Sequence, residues 1–219
     1  PLFFIFILTT SLMKPERKLT MLCLGDSYTI GELVEEQECF PMQTVALLKQ
    51  KQIEFAKPEL IAKTGWTTDE LAIAIKETDI KTKFDFVTLL IGVNNEYRGR
   101  SAGNYRQEFH ELLNTAIDYA NGNLSHVFVI SIPDWGVTPF GKKDLRGEKK
   151  IGEEINLFNT INKEEAKKAK VCYVDITPVS KQAKANSALI AKDGLHPSGV
   201  MYSEWAKLLS KKIAMVVNQ

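Results

Sequence analysis

The sequence predicts an α/β fold, a central five-stranded parallel sheet covered by helices on both faces. Two observations carry this expectation. Five short apolar runs, several rich in Val and Ile, read as strands, and segments of helical period separate them along the chain. Repeated alternation of strand and helix builds a parallel sheet rather than hairpins. The 219 residues hold no internal repeat and no low-complexity linker, so 18–219 is expected to be one domain.

The strand-like runs are "LTMLCL" (19–24), "ELIAK" (59–63), "FDFVTLLIG" (84–92), "HVFVISIP" (126–133) and "VCYVDI" (171–176). Each is too short for a typical helix, and all five are expected to be buried. Helical period appears in 41–52, 67–77, 102–121 and 151–169, and "VMYSEWAKLLSKKIAMVV" (200–217) closes the chain. The second helix is expected to begin after Thr67 or Thr68, which places acids in its first turn. Residues 141–150 read as a basic loop.

Parallel sheets bind ligands outside the carboxyl ends of their strands. The first run ends at Gly25-Asp26-Ser27, the second leads to Gly65, and the third ends at Gly92 with Asn94 and Asn95 just beyond. The fourth enters "IPDWGVTPFG", and "DGLHPSG" with Asp193 and His196 precedes the last helix. Ser, Gly, Asn and an Asp/His pair are thus delivered to one edge of the sheet. Each has an ordinary explanation alone, as a turn serine, a loop glycine, a helix cap or a helix-entry loop. Together they match the needs of acyl transfer.

A serine hydroxyl needs a base to become a nucleophile, and His196 is the natural one because imidazole titrates near neutrality. An acid must hold the imidazole in the right tautomer, and Asp193 stands three residues earlier. Pro197 disfavours a helical backbone at His196, so "DGLH" is expected to turn Asp193 back toward the ring. The backbone N–H groups of Ser27 and Gly65 and the side-chain amide of Asn94 are candidate donors to an oxyanion. At Gly65 the absence of Cβ would let a reacting group come close to the N–H.

The blocks "GDSY", Gly65, "GVNN" and "DGLHP" resemble those of the GDSL, or SGNH, hydrolase superfamily, in the family's order and over roughly 21–200. The resemblance implies a flavodoxin-like three-layer α/β/α sandwich and a metal-independent serine esterase. It implies Ser27 as nucleophile, His196 as base, Asp193 as its partner, and Ser27, Gly65 and Asn94 as the oxyanion hole. Tyr28 stands where the family usually has Leu, and Asn95 where it usually has Asp, which leaves a supporting role for that position open. The implied substrate is a small-molecule ester, either a short-chain acyl ester or a lysophospholipid, with a carbohydrate acetyl ester or a thioester as the alternative. Trp66, Tyr97, Trp135 and Phe140 are candidates for the walls of its pocket or for packing against the core. Arg98 and Arg100 would meet an anionic head group or pair with Glu96.

Other classes find less support. A flavodoxin-like binding module would share the topology, but there is no GxGxxG after the first run and no GxxxxGK[ST]. The net charge of +1 gives no electrostatic case for nucleic acid. His110, His126 and His196 lack metal-ligand spacing, and neither a metal nor another cofactor is expected. Cys23, Cys39 and Cys172 form no CxxC pair; Cys23 and Cys172 are expected to be buried thiols. Residues 1–17 open with an apolar run too short for a membrane span and read as an extension or signal-like segment. A cytoplasmic protein is expected, or an exported one if that run is a truncated signal peptide.

Overall fold

The computed structural model describes residues 17–218, so the extension expected over 1–17 lies, apart from Arg17, outside the described residues. The five apolar runs form the strands β1 (Met21–Gly25), β2 (Glu59–Ala62), β3 (Phe86–Leu90), β4 (Val127–Ile130) and β5 (Cys172–Val174). All pair in parallel in the order β2-β1-β3-β4-β5. That is the flavodoxin-like order, whose direction of winding reverses between β1 and β3.

The order explains which strands are apolar throughout. β1, β3 and β4 are flanked on both sides and buried along their length. β2 and β5 are edges. Glu59 and Leu60 of β2 are exposed, and in β5 only Val174 is fully buried, which corrects the expectation of five buried strands. Cys23 and Cys39 are buried thiols, whereas Cys172 on the β5 edge is only half-buried.

Among the described residues, eight α-helices accompany the strands: α1 (Ser27–Ile30), α2 (Phe40–Lys49), α3 (Thr68–Thr78), α4 (Val93–Tyr97), α5 (Ala102–Tyr119), α6 (Gly147–Ala169), α7 (Thr177–Lys181) and α8 (Gly199–Val217). α2 packs on α8, and α5 packs on both α3 and α6, giving the two outer layers. α5 shows how such a face is made. Tyr105, Phe109, Leu112, Leu113, Ala116 and Tyr119 recur at helical spacing and are buried. Burying each of the larger apolar side chains contributes about 1.5–3 kcal/mol.

Three short helices fall where only loops were expected, and two of them, α1 and α4, carry Ser27 and Asn94. Residues 141–150 are not a continuous loop either. A 3-10 turn spans Gly141–Lys143, and α6 begins at Gly147, so the basic residues Lys149 and Lys150 lie on its first turns. α3 starts as expected, with Thr67 as N-cap in a capping box with Glu70. Among the described residues, no helix is long and apolar enough to cross a membrane.

Candidate active site

β1 delivers Ser27 to the sheet edge. Asp26 caps the short helix that follows, its Oδ1 accepting the Tyr28 N–H at 3.0 Å, and Ser27 is the first helical residue. The Ser27 N–H therefore precedes the helical ladder and is left without an intrahelical acceptor. Burial is complete at Asp26, and it pushes the carboxyl up to about 7, only partly opposed by the hydrogen bond from Tyr28.

The loop before α8 supplies the partners. His196 Nε2 lies 3.0 Å from Ser27 Oγ, and His196 Nδ1 lies 2.6 Å from Asp193 Oδ2. Asp193 Oδ1 also accepts the backbone N–H groups of Leu195 and His196, each at 3.0 Å, so the "DGLH" turn closes on its own carboxylate. Burial pulls the Asp193 pKa upward, but hydrogen bonds from the His196 ring and these two N–H groups outweigh it and hold the carboxyl below its ordinary value. The loop is stiffened further by the Ala191 N–H, which donates to His196 O at 2.8 Å, and by a bridge between Ile190 and Pro197. The Tyr28 ring packs against the imidazole with centroids 5.6 Å apart. Tyr28 is thus a support for His196 that its place in the motif did not signal.

The other two candidate donors lie just beyond β2 and β3. Gly65, three residues past the end of β2, has φ +84°, a conformation that L side chains rarely adopt. A Cβ there would find its nearest neighbour, Arg98 Nη2, at an ordinary 3.6 Å, so glycine is required by the backbone angle and not by lack of space. Asn94, on the first turn of α4, donates one amide hydrogen from Nδ2 to Trp66 O at 2.9 Å, which leaves the other hydrogen unused by that bond. Gly92, at φ +125°, turns the chain into α4, and a Cβ there would collide with the Tyr105 hydroxyl.

A cavity of about 200 Å³ opens at this point, lined by Ser27, His196, Gly65 and Asn94 on one side and by Tyr97, Trp135 and Phe140 on another. Trp66 is not part of its lining; that side chain is half-buried against the core, and only its carbonyl serves the site. Trp135 combines both expected roles, since it is 2% exposed and still forms a wall. The three aromatic rings contact one another with centroids 5.5–6.4 Å apart.

Arg98 and Arg100 do not pair with Glu96. Arg98 pairs with Glu70 at 3.2 Å and Arg100 with Asp69 at 2.6 Å. Glu96 is buried, and its Oε2 accepts Trp135 Nε1 at 2.8 Å while its Oε1 accepts Arg146 Nη1 at 2.7 Å. Burial, with Glu154 close by, pushes its pKa up to about 7 against the hydrogen bond from Trp135 and the Arg146 charge. Asn95 has a supporting role after all. It is fully buried, its Oδ1 accepts the Thr68 N–H at 3.1 Å, and its Nδ2 donates to Thr68 Oγ1 at 2.6 Å. Among the described residues, no group of three His, Cys, Asp or Glu side chains is placed to hold a metal ion.

The arrangement sits where the winding reverses between β1 and β3, and it has the parts that acyl transfer to a serine requires. A family model described as the GDSL-like Lipase/Acylhydrolase family matches residues 23–203. No curated protein matches the chain. Several solved structures share its fold. A psychrotrophic esterase from Pseudoalteromonas sp. superposes with TM-score 0.67 at 14% identity, over 92% of this chain and 100% of that one. A lipase/acylhydrolase from Enterococcus faecalis gives TM-score 0.69 at 19% identity, covering 89% and 95% of the two chains. An acetylxylan esterase from Geobacillus stearothermophilus gives TM-score 0.69 at 17% identity, covering 89% and 94%.

Proposed function

The chain belongs to the GDSL-like lipase/acylhydrolase family and is an ester-hydrolysing enzyme, and on that premise we propose that it cleaves short-chain carboxylic esters through an acyl-enzyme on Ser27. The observation that carries this reading is the hydrogen-bonded chain from Ser27 Oγ through His196 to Asp193, at 3.0 and 2.6 Å. Ser27 Oγ attacks the acyl carbonyl while His196 Nε2 takes its proton, and Asp193 stabilises the imidazolium. The N–H groups of Ser27 and Gly65 and the free amide hydrogen of Asn94 receive the oxyanion. The alcohol leaves with the proton from His196. Water then attacks the acyl-serine with His196 again as base, and the acid is released.

The size and walls of the cavity favour a short acyl chain. About 200 Å³ bounded by Trp135, Tyr97 and Phe140 is small beside the pockets that hold larger ligands. Tyr97 and Phe140 line that cavity and are also exposed, 50% and 38%, so they present planar apolar surface of the kind on which a sugar ring stacks. That observation favours a second reading in which the alcohol is a sugar and the reaction a carbohydrate O-deacetylation, an activity borne by the acetylxylan esterase named above.

Rates on acetyl, butyryl and octanoyl nitrophenyl esters, with acetylated xylan alongside, test the substrate. They are expected to fall with chain length, and a preference for octanoyl would overturn the short-chain reading. Labelling by a fluorophosphonate tests the nucleophile. The label is expected on Ser27 and absent from Ser27→Ala, whereas wild-type turnover in that variant would remove Ser27 from the reaction.

A further inference from the structure

A residue that reaches φ +84° easily also leaves it easily, because glycine has the widest conformational freedom of any residue. A donor to a developing oxyanion is effective only if it is fixed before the charge forms. The restraint on Gly65 comes from the segment that carries Asn94. Arg98 Nη2 donates to Gly65 O at 2.7 Å, and Asn94 Nδ2 donates to the next carbonyl, Trp66 O, at 2.9 Å. Two consecutive carbonyls of one loop are held by two side chains four residues apart. The grip continues along the loop, with Asn95 on Thr68 and Arg100 on Asp69.

We propose that Arg98 is a positioning residue for the oxyanion site: its guanidinium fixes the Gly65 carbonyl and, through it, the direction of the Gly65 N–H. The inference rests on the roles of Ser27 and Gly65 proposed above. Anchoring the carbonyl restricts rotation about the Gly65 Cα, the one freedom that glycine adds to the loop. Arg98 is itself anchored, since Nη1 donates to Glu70 Oε2 at 3.2 Å while Glu70 accepts both the N–H and the hydroxyl of Thr67 at 2.9 Å. One planar fork therefore ties Gly65 to the N-terminus of α3, a connection that the single point charge of lysine cannot duplicate. The backbone of Arg98 is set by the helix that carries Asn94, because its N–H donates to Asn94 O at 3.0 Å. Both oxyanion donors outside Ser27 are thereby referred to α4.

Turnover of nitrophenyl acetate by wild type, Arg98→Met, Arg98→Lys and Ser27→Ala tests the inference, with inhibition by methylboronic acid, which becomes a tetrahedral anion on the serine, as a second readout. Arg98→Met is expected to lose about tenfold in kcat with KM within about twofold, and to lose a similar factor in boronate affinity. Its melting temperature is expected to stay within about 2 °C of wild type, because the Arg98 and Glu70 side chains are exposed. Arg98→Lys is expected to recover only part of the loss. Wild-type kcat in Arg98→Met, a change confined to KM, or full recovery in Arg98→Lys would overturn the role of the fork. Those results alongside an inactive Ser27→Ala leave the serine mechanism standing, whereas an active Ser27→Ala removes the mechanism itself.

Discussion

The indole Nε1 of Trp135 donates to Glu96 Oε2 over 2.8 Å, so a carboxylate behind the cavity fixes one of its walls. The same carboxylate holds Arg146, whose guanidinium lies 5.1 Å from the Trp135 ring centroid. Removing Glu96 strands a buried indole N–H and takes one carboxylate from Arg146, which keeps Asp144 and Glu154. Glu96→Ala is expected to lower stability by about 1–3 kcal/mol in urea unfolding, with Glu96→Gln less affected because its carbonyl still accepts from the indole. An unchanged unfolding midpoint in Glu96→Ala would show that the pair does not brace the wall.

Asp26 makes the stability of the fold depend on pH in a predictable direction. Its buried carboxyl titrates at about 7 in the folded chain, well above the ~3.9 of an unfolded aspartate. The folded state therefore holds the proton more tightly. The contribution of this group is complete below pH ~4 and is lost as the pH rises to about 7, by on the order of 4 kcal/mol. Asp26→Asn removes this dependence while keeping an acceptor for the Tyr28 N–H. Unfolding at pH 4, 5.5 and 7 is expected to show wild type losing ground to the variant as the pH rises, and parallel curves would contradict the assignment.

Asp193 accepts from the imidazole and from two backbone N–H groups, so its charge is built into the loop. Asp193→Asn keeps the shape and presents an amide to Nδ1, which favours the wrong tautomer of His196. A loss of up to about 10⁴ in kcat is expected, with a smaller change in KM. A loss below about tenfold would mean that the tautomer is not set by this residue.

Asn94 shares its amide between Trp66 O and the cavity. Asn94→Ala is expected to reduce kcat on nitrophenyl acetate by about a hundredfold. Asn94→Asp offers no amide hydrogen at all, and it places a negative charge where one must develop. It is expected to be worse than the alanine variant, and the reverse order would argue against an oxyanion role.

The strands and long helices were legible because their apolar spacing is local, and the clustering of the site residues was legible because Ser27, Gly65 and Asn94 follow strand ends while Asp193 and His196 share the loop before the last helix. What was not legible depends on partners distant in the chain. Glu96 beside two asparagines resembles a solvent-facing acid, and only Trp135 and Arg146, 39 and 50 residues later, make it a buried one. The edge position of β2 follows from strand order and not from "ELIAK" itself. The first turn of α6 is too polar to display helical period, so it looked like the end of a loop. Trp66 was expected as a pocket wall and is not one, because its direction depends on the left-handed turn at Gly65 just before it.

Ser27 and His196 are 169 residues apart, and the loop bearing His196 leads straight into α8, which packs on α2. During synthesis the serine leaves the ribosome long before its base does, and the sheet up to β4 can assemble around an unactivated hydroxyl. On the proposed mechanism, Ser27 then has no base until the last helix docks. On that mechanism reactivity arrives only with the finished fold, and a chain cut before Asp193 carries an inert serine.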